Sequence, residues 1–414
     1  MTRIDTVVLG AGHAGLAVSK LLCRAGREHV VLERGRVGER WRSERWDSLH
    51  LLSPNWMTRL PGWRSQAAPD AYSSAGEVVR LLDRYAASFD APVVESANVE
   101  EVSLAPRMSG YLVVTDRGTW RARQIVAATG PHGTPALPGV VTAGVPGPVE
   151  VITSQRYRNP AQLPAGGVLV VGSSASGVQI ADELARAGRS VLLSCGRHQR
   201  MPRRYRGMDI FWWLEKTGRL ARTIDQMPDA AAARREPSVQ LSGRDGETLD
   251  LPALQDIGVR LAGRLDRLAG GTAWFRDDLG DTMTAADRRM HRFLDTIDRL
   301  VADTGRCDQV PPPVRPRSIE PPPTPARLNL RAERIGTILL ATGFRPHHPW
   351  LRLPVTAADG SIAQYRGVTA APGLYVVGQR FQHRRDSAFI DGARHDAEAV
   401  VSHLLGSTTW EQAT

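Results

Sequence analysis

The sequence predicts an α/β fold built from two strand–glycine loop–helix units, with the second unit lodged inside the domain begun by the first. Three observations predict it. A short apolar strand runs into a glycine-rich turn at Gly10, and the same arrangement recurs 162 residues later at Gly172. Strand-and-turn patterns at Gln124–Gly130, Ile335–Gly343 and Leu374–Gly378 then mark where the chain crosses between the units. A length of 414 residues fits two or three packed units at about 150 residues each.

Thr6-Val7-Val8-Leu9 is a buried-strand pattern followed by Gly10-Ala11-Gly12-His13-Ala14-Gly15. Leu16, Ala17, Leu21 and Leu22 then repeat at helical spacing, and a second strand, His29–Leu32, ends on Glu33. This is a complete dinucleotide-binding βαβ fingerprint. Gly10 permits the tight turn, Gly12 lets the backbone approach a pyrophosphate, and Gly15 allows close helix–strand packing. The helix opening at His13 and Ala14 offers free N–H groups and a positive dipole end to phosphates. Glu33 stands where a carboxylate accepts the ribose hydroxyls.

In the second unit, Val168–Val171 leads to Gly172-Ser173-Ser174-Ala175-Ser176-Gly177, a helix that continues to Gly188, and a strand at Ser190–Ser194. That strand ends Cys195-Gly196-Arg197, with no acid. Without a carboxylate a 2′-phosphate is not repelled, and Arg197 can pair with it, so the second nucleotide is expected to be NADPH. Arg203 and Arg204 either reinforce that pairing or sit on a solvated loop. Ser174 is not a hydrolase nucleophile, because the stretch lacks the closing glycine of a GxSxG elbow.

Two Rossmann-like domains follow: residues 1–160 form the first part of one, 161–343 the inserted second, and 344–414 the return to the first. The closing helix is expected over Gly392–Leu405. The insert carries extra material over about 201–330. It contains an aromatic patch at Ile210–Leu214, an amphipathic helix at Thr284–Ala302 and eight prolines between Pro311 and Pro325. The prolines favour an extended surface connection over regular sheet. The aromatic patch either lines a substrate tunnel, meets a membrane surface or packs between domains.

Composition excludes several functions. With 42% apolar and 23% charged residues the chain is neither disordered nor fibrous. No apolar run nears the ~18–20 residues that cross a bilayer, and no basic-then-apolar leader opens the chain. A cytoplasmic protein without stable membrane insertion is expected. Cys23, Cys195 and Cys307 are odd in number and far apart, which argues against a CxxC dithiol, and the histidines show no metal-ligand spacing. The net charge of +10 is dispersed arginine, with no nucleic-acid recognition motif beside it.

Taken together, Gly10–Gly15, Glu33, Gly38–Arg42, Arg45–Leu49, Leu60-Pro61-Gly62, Gly172–Gly177, Ala341–Phe344, Gly378–Phe381 and Asp391-Gly392 resemble the landmarks of two-domain FAD/NADPH oxidoreductases. More narrowly, the chain resembles the flavin-containing (class B) monooxygenases, in a compact bacterial branch similar to plant indole-3-pyruvate monooxygenases. The resemblance implies FAD in the first fold and NADPH in the second. It implies one oxygen atom from O2 inserted into a small organic substrate through a C4a-(hydro)peroxyflavin, by N- or S-oxygenation, Baeyer–Villiger reaction or oxidative decarboxylation. It extends the cofactor-contacting set to Arg34, Trp41, Arg42, Leu52, Val99, Thr129, Gly130, Thr342, Gly343, Gly378, Gln379 and Ser387. Ser387 to Gly392, opening the last helix, is the segment expected to stabilise an anionic reduced flavin. A homodimer is compatible with this reading.

The family's FxGxxxHxxxY-type segment corresponds here to Gly147–Tyr157, where Tyr157 is kept and Thr153 replaces the histidine. Leu52 stands where many members carry an asparagine near the flavin. The Thr153 departure leaves a second reading open, an NADPH oxidase or reductase passing electrons to O2 or a quinone. A third is a protein that keeps FAD and NADP as structural ligands without catalysis.

Overall fold

The computed structural model describes residues 1–105, 109–142, 149–242, 246–318 and 320–406. Gly147 and Pro148, at the start of the aligned Gly147–Tyr157 segment, lie outside the described residues.

The first sheet has seven strands. Val93–Val94, His29–Leu32, Thr2–Leu9 and Gly118–Ala127 lie side by side in parallel, with Val7 opposite both Val30 and Ile125. Gly118–Ala127 then turns its N-terminal half to an antiparallel meander of Tyr111–Thr115 and Val99–Leu104. Its C-terminal half pairs in parallel with Leu374–Val376. The central strand is apolar without alternation because it is covered on both faces. Val8 packs with the helices His13–Arg24 and Ile390–Gly406, whereas Val7 and Leu9 face Val102, Leu353 and Val355. The closing strand and helix therefore return to the first domain, as the insertion topology requires. That helix is one to two residues longer at each end than its apolar pattern.

The second sheet is wholly parallel, in the order Arg260–Ala262, Val191–Ser194, Gly167–Val171, Ile335–Leu340, Glu150–Thr153. Strand Glu150–Thr153 thus belongs to it, ahead of the expected 160/161 boundary. The helices Ala175–Arg186 and Leu251–Asp256 contribute to the core on one face. A three-stranded antiparallel sheet, Leu265–Ala269, Thr272–Phe275 and Arg327–Asn329, covers the other.

In the inserted material, the amphipathic helix starts earlier than Thr284 and runs Leu279–Asp303. It buries Met283, Ala286, Met290, Phe293, Leu294, Ile297 and Val301, a run of near-heptad spacing that fixes one face inward. The proline-rich segment has no regular structure among its described residues. It is strapped down by Arg315, which pairs with Asp295 and Asp298 at 2.8 and 2.7 Å, and by Arg317, which pairs with Asp256 at 2.8 Å. Among the described residues, no helix is long and apolar enough to cross a membrane.

Candidate functional site

Both glycine loops adopt the predicted geometry. Gly10 and Gly172 have φ of +103° and +106°, and a Cβ at either would strike a backbone carbonyl oxygen, of Ala128 at 2.8 Å or Ala341 at 2.5 Å. Gly12 differs: a Cβ there would meet nothing within 4 Å. It caps the helix His13–Arg24 without a side-chain hydrogen bond. The first loop is therefore packed from behind and open in front, the shape a pyrophosphate needs.

In front of it lies a cavity of about 1060 Å³. Gly10, Gly12, His13, Ala14, Glu33, Arg34, Trp41, Leu52, Val99, Thr129, Gly130 and Gly378 all line it, so the fold brings together twelve of the expected residues drawn from distant parts of the chain. Glu33 is buried and braces the loop, accepting hydrogen bonds from the Ala11 amide at 2.8 Å and the Gly35 amide at 3.2 Å. Burial raises its pKa, opposed by those two amides. The buried His13 Nε2 and Thr129 Oγ1 have no partner in the protein. Such orphaned polar atoms beside an open cradle are what a bound dinucleotide satisfies.

Cations absent from the expected set also line the cavity. Arg40 donates to the His132 carbonyl, and Arg45 rests 5.4 Å over the Trp41 ring. Burial brings Arg45 down to about 10, leaving it charged at neutral pH, whereas burial and the nearby arginines push His132 down to about 3, leaving it neutral. Burial likewise lowers His13 to about 4. Arg40 and Arg45 lie within or beside the Trp41 and Trp46 motifs, and an arginine next to a tryptophan in those motifs was the available signal.

Several expected contacts are corrected. Arg42 turns away from the cavity: it pairs with Asp83 at 2.6 and 2.7 Å and donates to the Val37 carbonyl. Arg203 is neither a phosphate ligand nor a solvated side chain. It is 1% exposed, and its nitrogens bond Asp209 at 2.5 and 2.9 Å and the carbonyls of Leu52 and Ser242. Its guanidinium also stacks on Tyr72 at 4.2 Å. An isolated run of arginines cannot reveal that one of them is a buried tie. Ser387 is fully buried, and its hydroxyl accepts from the amides of His383 and Arg384, so Ala388, Phe389 and Ile390 face the cavity in its place.

The second loop stands apart from the cavity wall. Gly172 to Gly177, Arg197, Thr342 and Gly343 do not line it, nor do Gln379 and Gly15. Ser173 is buried, and Gln240 donates to its carbonyl at 2.6 Å from a ribbon whose Val239 and Leu241 face the cavity. Ser174 and Ser176 are half-buried, and Ala175 packs in the core. Arg197 is exposed and donates to the Arg235 carbonyl at 3.0 Å. Thr342 Oγ1 donates to Ala136, and Gln379 donates to the Gly130 carbonyl at 3.4 Å.

The aromatic patch divides between two roles. Ile210, Phe211 and Leu214, on the helix Ile210–Lys216, line the far part of the cavity together with Met201, Leu220 and Leu241. Trp213 instead packs in the core and donates to the Tyr205 carbonyl at 2.7 Å.

Two dinucleotide folds, one inserted in the other, with a cavity that runs from the first glycine loop to the material added to the second fold, define a two-domain nucleotide-dependent oxidoreductase. The profile of the pyridine nucleotide-disulphide oxidoreductase family matches residues 7–213, and the chain belongs to that family. An uncharacterized oxidoreductase, CzcO-like, of Geobacillus kaustophilus is 30% identical over 97% of this chain and 98% of its own. Rice indole-3-pyruvate monooxygenase YUCCA1 is 30% identical over 44% of this chain and 45% of its own. A flavin-containing monooxygenase from Stenotrophomonas maltophilia superposes with a TM-score of 0.66 at 20% identity, covering 99% of this chain and 100% of that one. The resemblance to flavin-containing monooxygenases thus holds in sequence over part of the chain and in fold over nearly all of it, and the protein is an oxidoreductase enzyme of a pyridine-nucleotide family.

Proposed function

We propose that the protein is an NADPH-dependent FAD monooxygenase that inserts one atom of O2 into a small organic substrate. The observation that carries this reading is the continuity of one cavity. It runs from the first glycine loop and Glu33, past Trp41 and Leu52, to the opening of the last helix and on to the apolar wall at Ile210, Phe211 and Leu214.

In this reading Gly10, Gly12, His13 and Ala14 hold the FAD pyrophosphate, Glu33 and Val99 its adenosine end, and Arg40 and Arg45 supply positive charge. When bound, FAD supplies electron transfer and oxygen activation. The chain supplies the surroundings. Ala388, Phe389 and Ile390 bring the positive end of the helix Ile390–Gly406 to the cavity, where it stabilises negative charge on a reduced ring. The apolar wall contributed by the insert excludes water from the reacting region. NADPH is assigned to the Gly172–Gly177 loop, with Arg197 at its 2′-phosphate. The domain division that goes with this is an FAD domain of the two terminal parts and an NADPH domain between them.

The test is turnover of the FAD-loaded protein with NADPH under 18O2, with a thioether, a tertiary amine and a 2-oxo acid as separate substrates. One 18O atom in the product, with less peroxide released than NADPH consumed, is expected for at least one of them. Peroxide equal to NADPH in every case supports the oxidase or reductase reading. One observation favours that alternative: Thr153 ends its strand with Oγ1 buried and unpartnered, while Tyr157 is committed to Glu183 at 2.7 Å.

A further inference from the structure

The apolar part of the cavity holds a guanidinium with no direct hydrogen-bond or ion-pair partner among the described residues. Arg219 follows the helix Ile210–Lys216, is half-buried and lines the cavity. Its guanidinium lies 4.8 Å over the ring of Phe293, and among the described residues it makes no hydrogen bond or ion pair. The charges around it deepen the imbalance. Arg222, Arg292 and Arg385 are nearby cations, and the carboxylate that opposes them, Glu236, lines the cavity as well but is already held by Arg385 at 2.5 Å. The surrounding walls are Ile210, Phe211, Leu214, Leu220, Leu241 and Phe389.

A cation withdrawn from water and left unpaired costs stability unless an anion completes it. The guanidinium fork matches a carboxylate bidentately, and the walls match a hydrocarbon body rather than a polar one. Phe389 also connects this region to the opening of the last helix, where the proposed function puts the flavin ring. We propose that Arg219 anchors the carboxylate of an apolar organic acid, whose hydrocarbon part lies against Phe211, Leu214 and Leu241 and points toward Phe389. The substrate class is then an arylalkyl or alkyl carboxylic acid. This rests on the oxygenase reading for the word substrate, but the binding site itself does not. In the proposed function the cofactor anions have their own partners, the FAD pyrophosphate at the first glycine loop and the NADPH 2′-phosphate at Arg197 at the end of its own strand.

The experiment is calorimetry on the FAD-loaded protein without turnover, using 3-phenylpropanoate and 3-phenylpropanamide as paired probes, and NADP+ against NAD+ as a second pair. The acid is expected to bind wild type about tenfold or more tighter than the amide. Arg219→Gln should bring the two within about threefold, and Arg219→Lys should keep part of the preference. NADP+ affinity should be unchanged in both variants, and FAD content and melting temperature report that they fold. Equal binding of acid and amide, no binding of the acid, or a preference that survives Arg219→Gln would each overturn the proposal. So would a loss of NADP+ affinity in Arg219→Gln with acid binding unchanged, which would reassign Arg219 to the nucleotide. Because no oxygen chemistry is read, a protein that releases only peroxide can still pass this test.

Discussion

A Cβ built on Gly15 would stand 1.9 Å from the carbonyl oxygen of Gly10, and Gly177 stands in the same relation to Gly172 at 1.8 Å. Each nucleotide loop is therefore locked to its helix by a contact that admits only hydrogen. Gly15→Ala and Gly177→Ala should each cost about 1–3 kcal/mol through overpacking. Thermal melts should show the loss in both. Bound flavin should drop only in Gly15→Ala, and flavin reduction by NADPH should slow chiefly in Gly177→Ala.

Gly12 gives the opposite outcome. Its surroundings are open, and its φ of −80° suits any residue. Gly12→Val should still fold, at a cost of about 1 kcal/mol relative to the cofactor-free wild type for the poorer N-cap, because no neighbouring atom is displaced. It should nevertheless purify without FAD, since the added methyl groups fill the space facing the cavity. Absorbance of the purified protein reports this.

Arg203 and Arg197 should separate in the same way. Removing Arg203 leaves Asp209 buried and uncompensated, and Arg203→Ala should destabilise by about 3–5 kcal/mol in a denaturant titration. Arg197 is exposed, so Arg197→Ala should change stability by less than about 0.5 kcal/mol. It should instead lower the preference for NADPH over NADH, by about tenfold if one charge-assisted pair is lost.

These cases show how far the sequence could be read. Glycine spacing, the acid after one second strand and its absence after the other were sufficient for two dinucleotide folds. Repeated apolar strands located the return of Leu374–Val376 to the first sheet. The parts that escaped depend on tertiary direction. Whether Arg42 points at the cavity or at Asp83, and whether Ser387 faces a ligand or caps the turn at His383 and Arg384, is decided by packing that adds no local pattern. Arg219 escaped for the same reason, because nothing near it in sequence marks its exposure to an apolar cavity.

Asp396, inside the last helix, carries a pH signature. Its carboxylate is buried, and that burial raises its pKa to about 7, opposed by the Ser387 hydroxyl and reinforced by the nearby Asp386 charge. Below the ordinary carboxylate range it is protonated whether folded or not, and contributes no penalty. As pH rises from about 4 to 7 the unfolded chain ionises first, so stability falls across that window and stays reduced above it. Asp396→Asn should match wild type near pH 4 and exceed it by up to about 4 kcal/mol above pH 7. Melting curves of the two proteins across that range check the sign.

The most direct test of the central claim mixes anaerobically NADPH-reduced protein with oxygenated buffer in the presence of NADP+, following flavin absorbance and peroxide together. The account predicts that NADPH bleaches the flavin, and that oxidised absorbance returns in two phases with peroxide released only in the second. A single-phase return with immediate, stoichiometric peroxide would contradict oxygen insertion, and a flavin that NADPH never bleaches would contradict the assignment of the Gly172–Gly177 loop.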